Sequence, residues 1–344
     1  MDFSPLAGDS YAQITASKFL ERKINSFDSN IPTVIYNIPE GGFDAVKKKA
    51  LDYFGAEADV VCDGGVHKLA EAEKADTLVI KPLPYIERSR FGFGDLVEII
   101  RRLRDPDGCP WDRAQTYESI RPCAIEEAYE LVEAASLKDR DKILEESGDV
   151  VLQGLFYASI AEDEGDFTFN DMISALAHKL VTRHTHIFGS NKAENADQAL
   201  GFWEKAKAKE KGQAGIADKL DSIPKTFTAL MRAMKAQKII KKTGFDFPNT
   251  KEALDKVKEE ISEFENAVDN LEEEAGDLLF SAVNLLRMYG IDPEIALNNT
   301  TDKFIRRFLY VDKKAKETGI PLEECGLERM EGWYQEYKRL YEKQ

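Results

Sequence analysis

The sequence predicts a mainly α protein in which two tandem all-α modules follow a small α/β segment. Helical periodicity continues from Phe93 to the end of the chain, whereas two β-branched, apolar runs are confined to the first 90 residues. The helical part also contains the same succession of motifs twice. A chain of 344 residues is long enough for two or three domains, each with its own core.

The N-terminal segment combines strand and helix patterns. The runs TVIYNI (33–38) and DTLVIKPL (76–83) have the β-branched, apolar composition of strands, and FDAVKKKALDYFG (43–55) between them has an amphipathic helical period. We therefore expect residues 1–90 to form a small α/β segment.

Composition and charge exclude several classes of function. The net charge of −16, from 63 acidic and 47 basic residues, opposes direct binding to nucleic acid or to anionic lipid. No apolar stretch approaches the roughly 20 residues that span a membrane, and the first residues lack a signal-peptide pattern. The four cysteines are scattered without CxxC spacing. We expect a cytoplasmic protein with free thiols and no membrane association.

The internal repeat divides the helical part into two modules. The first copy contains, in order, RRLRDPDG, CPWD, AIEEAYELVE, ILEESGDVVLQGLFYASIAE, LAHKLVTRHTHIFG and GFWEKAKAKEK. The second contains IIKKTG, FDFP, VKEEISEFEN, LEEEAGDLLFSAVNLLRMYG, TTDKFIRRFLYVD and EGWYQEYKRLY in the same order. We assign the modules to residues 93–212 and 222–342, joined by the flexible GQAGIAD linker.

Each module carries an E-E-x-x-E motif on one helix and an E-x-x-D motif on the next. Residues three or four positions apart share a helix face, and two helices joined by a short loop pack as a hairpin. Four carboxylates should therefore converge in each module. The predicted metal ligands are Glu127, Glu130, Glu146 and Asp149 in the first module and Glu260, Glu263, Glu274 and Asp277 in the second.

The ligand chemistry indicates which metal these carboxylates would bind. Hard oxygen donors without histidine or cysteine fit Mg²⁺ or Mn²⁺, and the missing E-x-x-H motif argues against a di-iron site. A single E-E-x-x-E motif is more simply explained as a solvated helix face. Its recurrence in register, each time followed by E-x-x-D, favours the metal site.

Basic residues follow the carboxylates in both modules. Each module has two cations at i, i+4 spacing on its third long helix, and a lysine four residues after an aromatic on its last helix. Beside a bound metal, such cations would neutralise a polyphosphate; ordinary surface ion pairing is the alternative. The aromatic residues either stack on a nucleobase or fill the core. The predicted substrate-binding residues are Lys179, Arg183, Trp203, Lys207, Lys303, Arg307, Tyr334 and Lys338.

At these motifs the sequence resembles the MazG family of nucleoside triphosphate pyrophosphohydrolases, in its two-module form. The resemblance covers about 250 of the 344 residues. It implies helical bundles shared by the two subunits of a homodimer, Mg²⁺ as cofactor, and hydrolysis of nucleoside triphosphates to monophosphate and pyrophosphate. The second module departs from the pattern in Tyr334, where tryptophan is expected, and in a shorter loop between Glu263 and Glu274.

Two further expectations concern the attacking water and the N-terminal segment. The outer glutamates, Glu126 and Glu259, are predicted to orient or deprotonate the attacking water. Residues 1–90 resemble a remnant of the tetrapyrrole methylase domain that precedes the module in some relatives, with no room for methylation.

Two alternatives to a general pyrophosphohydrolase stay open at the sequence level. One is a regulator or scaffold that binds nucleotide without hydrolysing it. The other is a narrower pyrophosphohydrolase acting on dUTP or on a phosphoribosyl nucleotide. The intact carboxylate motifs in both modules favour an enzyme.

Overall fold

The computed structural model describes residues 10–28, 30–210, 212 and 215–342. The chain divides into two compact units, Met1–Thr182 and Arg183–Gln344. Helices account for the regular structure from Phe93 onward in the described ranges, so the predicted fold class, mainly α after a small α/β segment, is confirmed. None of the described helices combines the length and apolar character that crossing a membrane requires.

The N-terminal segment forms a five-stranded sheet with two helices. Its strands are β1 (Ala12–Thr15), β2 (Thr33–Tyr36), β3 (Asp59–Cys62), β4 (Gly65–Lys68) and β5 (Leu78–Ile80), and its helices are α1 (Ala16–Glu21) and α2 (Phe43–Phe54). The strand order is β1-β2-β5-β3-β4, with β1 and β2 parallel and the other neighbours antiparallel. Strands β2 and β5 and helix α2 were predicted from sequence; β1, β3 and β4 were not.

An apolar core holds the sheet and its two helices together. Phe19 from α1, Val46 from α2, and Ile35, Leu69 and Leu78 are all fully buried in this core. The segment therefore buries a core of its own within the first unit.

The helices of the first unit after the sheet form a separate core. They are α3 (Phe93–Arg104), α4 (Pro110–Arg113), α5 (Arg121–Leu137), α6 (Arg140–Glu164) and α7 (Phe169–Arg183), whose last residue begins the second unit. Lys138, in the left-handed conformation, ends α5, and the Asp139 carboxylate caps the first turn of α6. Because two residues join these long helices, α5 and α6 pack as a hairpin.

The second unit contains the remaining helices and repeats this hairpin. They are α8 (Thr185–Phe188), α9 (Ala196–Glu210), α10 (Ile216–Asp221), α11 (Ala229–Ile240), α12 (Thr250–Asn266), α13 (Leu271–Met288), α14 (Pro293–Thr318) and α15 (Leu327–Tyr341). The Asn249 side chain caps α12, and four residues connect α12 to α13. The two hairpins, α5–α6 and α12–α13, are the pairs that present the acidic motifs.

Shortening a buried strand residue tests the N-terminal core. Ile80→Ala removes a side chain that is 2% exposed, and we expect the sheet to lose about 2–5 kcal/mol of opening free energy. Amide hydrogen exchange of β2 and β5 measures this loss. Ile86→Ala is the matched control, because Ile86 is 93% exposed and its truncation should change exchange by less than about 0.5 kcal/mol. Equal effects of the two substitutions would contradict the assigned core.

Candidate functional site

The first carboxylate cluster lies on the hairpin of α5 and α6. Glu127 and Glu130, one turn apart on α5, meet Glu146 of α6, and one oxygen from each lies within 4.8 Å of the others. Glu146 is buried, with 9% of its surface exposed. Local helix spacing and the two-residue connection together account for this convergence.

The charges of this cluster oppose each other. Burial raises the pKa of Glu127 above its usual value, and Asp149, Glu130 and Glu126 raise it further. Burial is also the main cause of the raised pKa of Glu146, with Glu130 adding to it. No ion pair in the described part of the chain involves the cluster's carboxylates. Among the residues that the structure describes, the first cluster is therefore a set of like charges without an ion-paired cation.

The second cluster occupies the corresponding hairpin of α12 and α13. Oxygens of Glu260, Glu274 and Asp277 lie within 4.8 Å of one another, and Glu260 is 5% exposed. The Asn270 amide donates a hydrogen bond of 2.6 Å to the Glu274 carboxylate, which fixes that side chain at the start of α13.

A lysine distinguishes the second cluster from the first. The Nζ atom of Lys256 lies 2.7 Å from Glu259, 2.8 Å from Glu260 and 3.9 Å from Glu263. Hydrogen bonds to Glu259 and Glu260 raise the pKa of the lysine. The repeat places Cys123 at the equivalent position of the first module. Sequence reasoning missed this cation, although the i, i+4 spacing from Lys256 to Glu260 was a usable signal.

One predicted ligand in each module lies outside the three-oxygen groups found among the described residues. These are Asp149 and Glu263. Both lie near the groups: the Asp149 charge contributes to the raised pKa of Glu127, and the Glu263 carboxylate lies 3.9 Å from the Lys256 ammonium that also pairs with Glu260. The proposed water-orienting residues, Glu126 and Glu259, are exposed.

Two predicted cations of the first module, Arg183 and Lys207, lie against the Trp203 ring in the second unit. Arg183 is buried and donates two hydrogen bonds, of 2.8 and 2.9 Å, to the Glu210 carboxylate. Its guanidinium lies 5.3 Å from the centre of the Trp203 ring, and the Lys207 ammonium lies 4.9 Å from the same ring. Lys179 is exposed on α7, in the first unit.

The second module builds the same cluster with tyrosine in place of tryptophan. Arg307 lies 5.2 Å from the Tyr334 ring centre, donates a 3.1 Å hydrogen bond to its hydroxyl, and forms an ion pair with Glu342. The Arg307 hydrogen bond lowers the pKa of Glu342, and the charges of Lys303 and Lys338 lower it further. Phenol and carboxylate thus hold the guanidinium in a fixed position.

Two acidic members of these clusters were not predicted. Glu210 follows Trp203 by seven residues, and Glu342 follows Tyr334 by eight. Two helical turns separate each pair, so the spacing places ring and acid on one side of the last helix. A search for acids two turns after each aromatic would have found both.

Within the second unit, the predicted phosphate-binding cations and the predicted metal-binding carboxylates form separate groups. The described hydrogen bonds and ion pairs of Arg307 stay between α14 and the end of α15. Those of Glu260 and Glu274 stay within α12, α13 and their connection.

The carboxylate groups have the chemistry of a site for a hard divalent cation. Their donors are all oxygens, and metal ligands at about 2.1 Å lie about 4 Å apart across an octahedral ion, within the observed 4.8 Å limit. Soft metals are disfavoured because no cysteine or histidine joins either group among the described residues. A divalent cation would also stabilise the ionised forms of Glu127 and Glu146, whose pKa values are raised by burial and further by neighbouring carboxylates.

Comparison with known proteins assigns the family. The MazG nucleotide pyrophosphohydrolase domain matches residues 115–188 and 249–311, which contain both carboxylate hairpins. The nucleoside triphosphate pyrophosphohydrolase of Escherichia coli K12 is 43% identical over 252 residues, covering 71% of this chain and 96% of that protein. The nucleoside triphosphate pyrophosphohydrolase/pyrophosphatase MazG of Thermotoga maritima is 42% identical over 248 residues, covering 72% and 95%.

A longer relative matches the same part of the chain. The uncharacterized protein YabN of Bacillus subtilis is 45% identical over 252 residues, which cover 72% of this chain and 51% of that protein. The paired domain matches, together with similarity over almost the whole length of two pyrophosphohydrolases, show that the chain belongs to the MazG family of nucleotide pyrophosphohydrolases.

Proposed function

We propose that the chain hydrolyses nucleoside triphosphates to monophosphate and pyrophosphate, in a Mg²⁺-dependent reaction at sites shared between two copies of the protein. Membership of a pyrophosphohydrolase family supports the reaction. The observation that carries the proposal is the pair of three-carboxylate groups on corresponding hairpins, because two separate sites with hard oxygen donors fit cation-assisted phosphate chemistry.

The residues of each module would have separate roles in binding the cation, the triphosphate and the attacking water. Glu127, Glu130, Glu146 and Asp149, and in the second module Glu260, Glu263, Glu274 and Asp277, would hold the cation. The cation would lower the pKa of the attacking water and neutralise phosphate oxygens. Lys179, Arg183 and Lys207, or Lys303, Arg307 and Lys338, would bind the triphosphate and stabilise the departing pyrophosphate. Glu126 and Glu259 would orient or deprotonate the water.

Exposed apolar faces support a homodimer. On α7 the side chains of Ile173, Leu176 and Val181 are exposed, and Leu176 is 50% exposed. On α14, Leu297, Phe304 and Leu309 are exposed in the same way. Apolar rows on long helices mark surfaces that another protein covers, and a second copy supplies complementary helices.

The same faces carry charges of opposite sign. Helix α14 presents Lys303 and Arg307 beside its exposed apolar residues, and α5 presents the exposed Ile125 and Tyr129 beside its glutamates. Joining such faces between copies would bring phosphate-binding cations to metal-binding carboxylates. This charge complementarity supports the proposal of a site shared between copies.

The proposal includes the organisation and location of the chain. The segments would be an α/β remnant at 1–90 and modules at 93–212 and 222–342. The protein would work in the cytoplasm, where its four cysteines, all free in the structure, would stay reduced.

Activity assays on variants with substitutions in the carboxylate clusters test the reaction. With Mg²⁺ and a panel of nucleoside triphosphates, we expect monophosphate and pyrophosphate, both lost on chelation. Glu130→Ala and Glu263→Ala should each lower turnover in their own module by about 100-fold or more, and together abolish it. Glu133→Ala, at an exposed glutamate on α5, should leave turnover unchanged. Full activity in the double variant would overturn the scheme; no turnover by folded, Mg²⁺-bound wild type would favour a binding-only regulator.

The pH dependence of stability tests the repulsion in the first cluster. The pKa values of Glu127 and Glu146 are raised above 4.5 in the native state, so the native protein binds protons more tightly than the unfolded chain. Stability of the metal-free protein should therefore fall as pH rises through the raised pKa values. Thermal unfolding with chelator at about pH 5 and pH 7.5 measures this fall. Glu146→Gln should reduce it, Glu133→Gln should not, and an equal fall in all three proteins would contradict the analysis.

Breaking the apolar face of α14 tests the dimer. Leu309→Glu places a charge on a side chain that is 61% exposed in one copy, and we expect the mass in solution to fall from about twice 38.8 kDa to 38.8 kDa. Light scattering after gel filtration measures the mass, and triphosphate turnover should be lost with it. Ile86→Glu, at an exposed site in the N-terminal segment, is the control and should remain dimeric. A dimeric Leu309→Glu protein would show that this face is not the interface.

A further inference from the structure

The ammonium group of Lys256 lies among the predicted metal ligands of the second module. Its Nζ atom is 2.8 Å from the Glu260 carboxylate and 3.9 Å from that of Glu263. Only 33% of the lysine side chain and 7% of the Glu260 side chain are exposed, so water screens this contact less than an ordinary surface ion pair. Among the cations that the structure describes, no other has a nitrogen within 4.0 Å of a predicted ligand in either module.

The same lysine also contacts the outer glutamate of its motif. Its Nζ atom donates a 2.7 Å hydrogen bond to Glu259, the residue proposed to orient or deprotonate the attacking water. The spacings of three and four residues place both glutamates on the face of α12 that carries Lys256. One ammonium group therefore binds the acid proposed for the water and an acid proposed for the metal.

The first module has no such cation. Lys256 precedes Glu260 by four residues, and the residue four positions before Glu127 is Cys123, whose side chain is not a cation. No ion pair of the described residues involves the first cluster, as noted above. The two sites therefore differ by about one positive charge at equivalent positions of α5 and α12.

The carboxylates that converge also differ between the modules. Glu130 contributes an oxygen to the first three-oxygen group, whereas its counterpart Glu263 lies outside the second group, in which Asp277 supplies the third oxygen. Glu263 is also the carboxylate that lies 3.9 Å from the Lys256 ammonium. The lysine thus lies beside the acid whose position relative to the group differs between the modules.

Coulomb repulsion indicates how strongly the lysine would affect a bound ion. A divalent cation about 2.1 Å from the Glu260 oxygen that accepts from Lys256 would lie within about 5 Å of the ammonium, because the hydrogen bond is 2.8 Å long. At this distance, repulsion between charges of +2 and +1 weakens binding by about 10-fold, even when it is screened as in bulk water.

We infer that Lys256 lowers the affinity of the second module for its divalent cation, so that the first module binds the cation at a lower concentration than the second. The inference rests on the cation sites of the proposed function and adds the order in which they fill. Lys256 acts through the carboxylates and is a positioning residue. The chain therefore responds to the concentration of free cation in two steps.

Binding of Mn²⁺, measured from the electron paramagnetic resonance signal of the free ion, tests the inference without turnover. The full chain carries Glu146→Ala, which removes the site of the first module. In this background Lys256→Met, which removes the charge and keeps the length of the side chain, should lower the Kd of the second site by about 10-fold. Lys256→Arg keeps the charge and should leave the Kd within about 2-fold of its value. Lys258→Met is the matched control, because this lysine of α12 pairs with Asp255, outside the cluster, and should not change the Kd.

The reciprocal variant tests the first module. Glu274→Ala removes the second site, and the Kd that remains should be about 10-fold lower than that of the second site measured alone. Adding Cys123→Lys introduces the charge at the equivalent position and should raise this Kd by about 10-fold. This variant also decides the inference if Lys256→Met does not fold, as thermal unfolding would show.

The outcomes separate this inference from the proposed function, because the probe is the metal alone. Equal Kd values at the two wild-type sites, or a fall that Lys258→Met reproduces, would overturn the role of Lys256 and leave hydrolysis intact. The expected shifts in a protein that turns over no triphosphate would support the inference while the proposed function fails. Absence of Mn²⁺ binding at both modules would overturn the inference together with the proposed metal sites.

Discussion

Repulsion among carboxylates held on two packed helices is the constraint on which both modules depend. Each hairpin places three carboxylate oxygens within 4.8 Å, and each cluster includes a glutamate that is almost fully buried. Such an arrangement is unfavourable without positive charge, because burial weakens the screening between like charges. The second hairpin supplies part of that charge through Lys256, whereas the first has Cys123 at the same place. The two modules therefore share a helical arrangement but differ in the charge that lies beside their carboxylates.

Helix packing around the hairpins is incomplete in a single chain. The long helices α7 and α14 expose apolar side chains over several turns, and within the second unit Arg307 of α14 pairs with Glu342 instead of with the carboxylate cluster of α12 and α13. Exposed apolar side chains and cations that could complement the carboxylates thus occur on the same helices. In the proposed homodimer one contact area would satisfy both, so assembly and completion of the site would be a single event.

Local spacing explains what the sequence could predict. The carboxylates of E-E-x-x-E and E-x-x-D converge because helix period and a short connection fix their directions, and both are readable in one chain segment. The hairpin of β3 and β4 was also readable, since Asp63 and Gly64 have the positive φ angles of a tight Asp-Gly turn, but the short strands beside it hid the signal. The burial of Gln237 could not be predicted from sequence. Only the packing of α11 against α13 shows that its amide is buried, with Nε2 hydrogen-bonded and Oε1 without a partner.

The ion pairs of Arg183 with Glu210 and of Arg307 with Glu342 have a consequence for affinity. Each guanidinium is already ordered over a ring and bound by a carboxylate before any anion arrives. If these arginines bind phosphate as proposed, the phosphate would compete with that carboxylate for the guanidinium N–H groups, so the gain on binding would be smaller than the strength of a new ion pair. Such competition would keep the arginine in position and would limit how tightly pyrophosphate is held after the bond is cut, and weak retention of product favours rapid turnover.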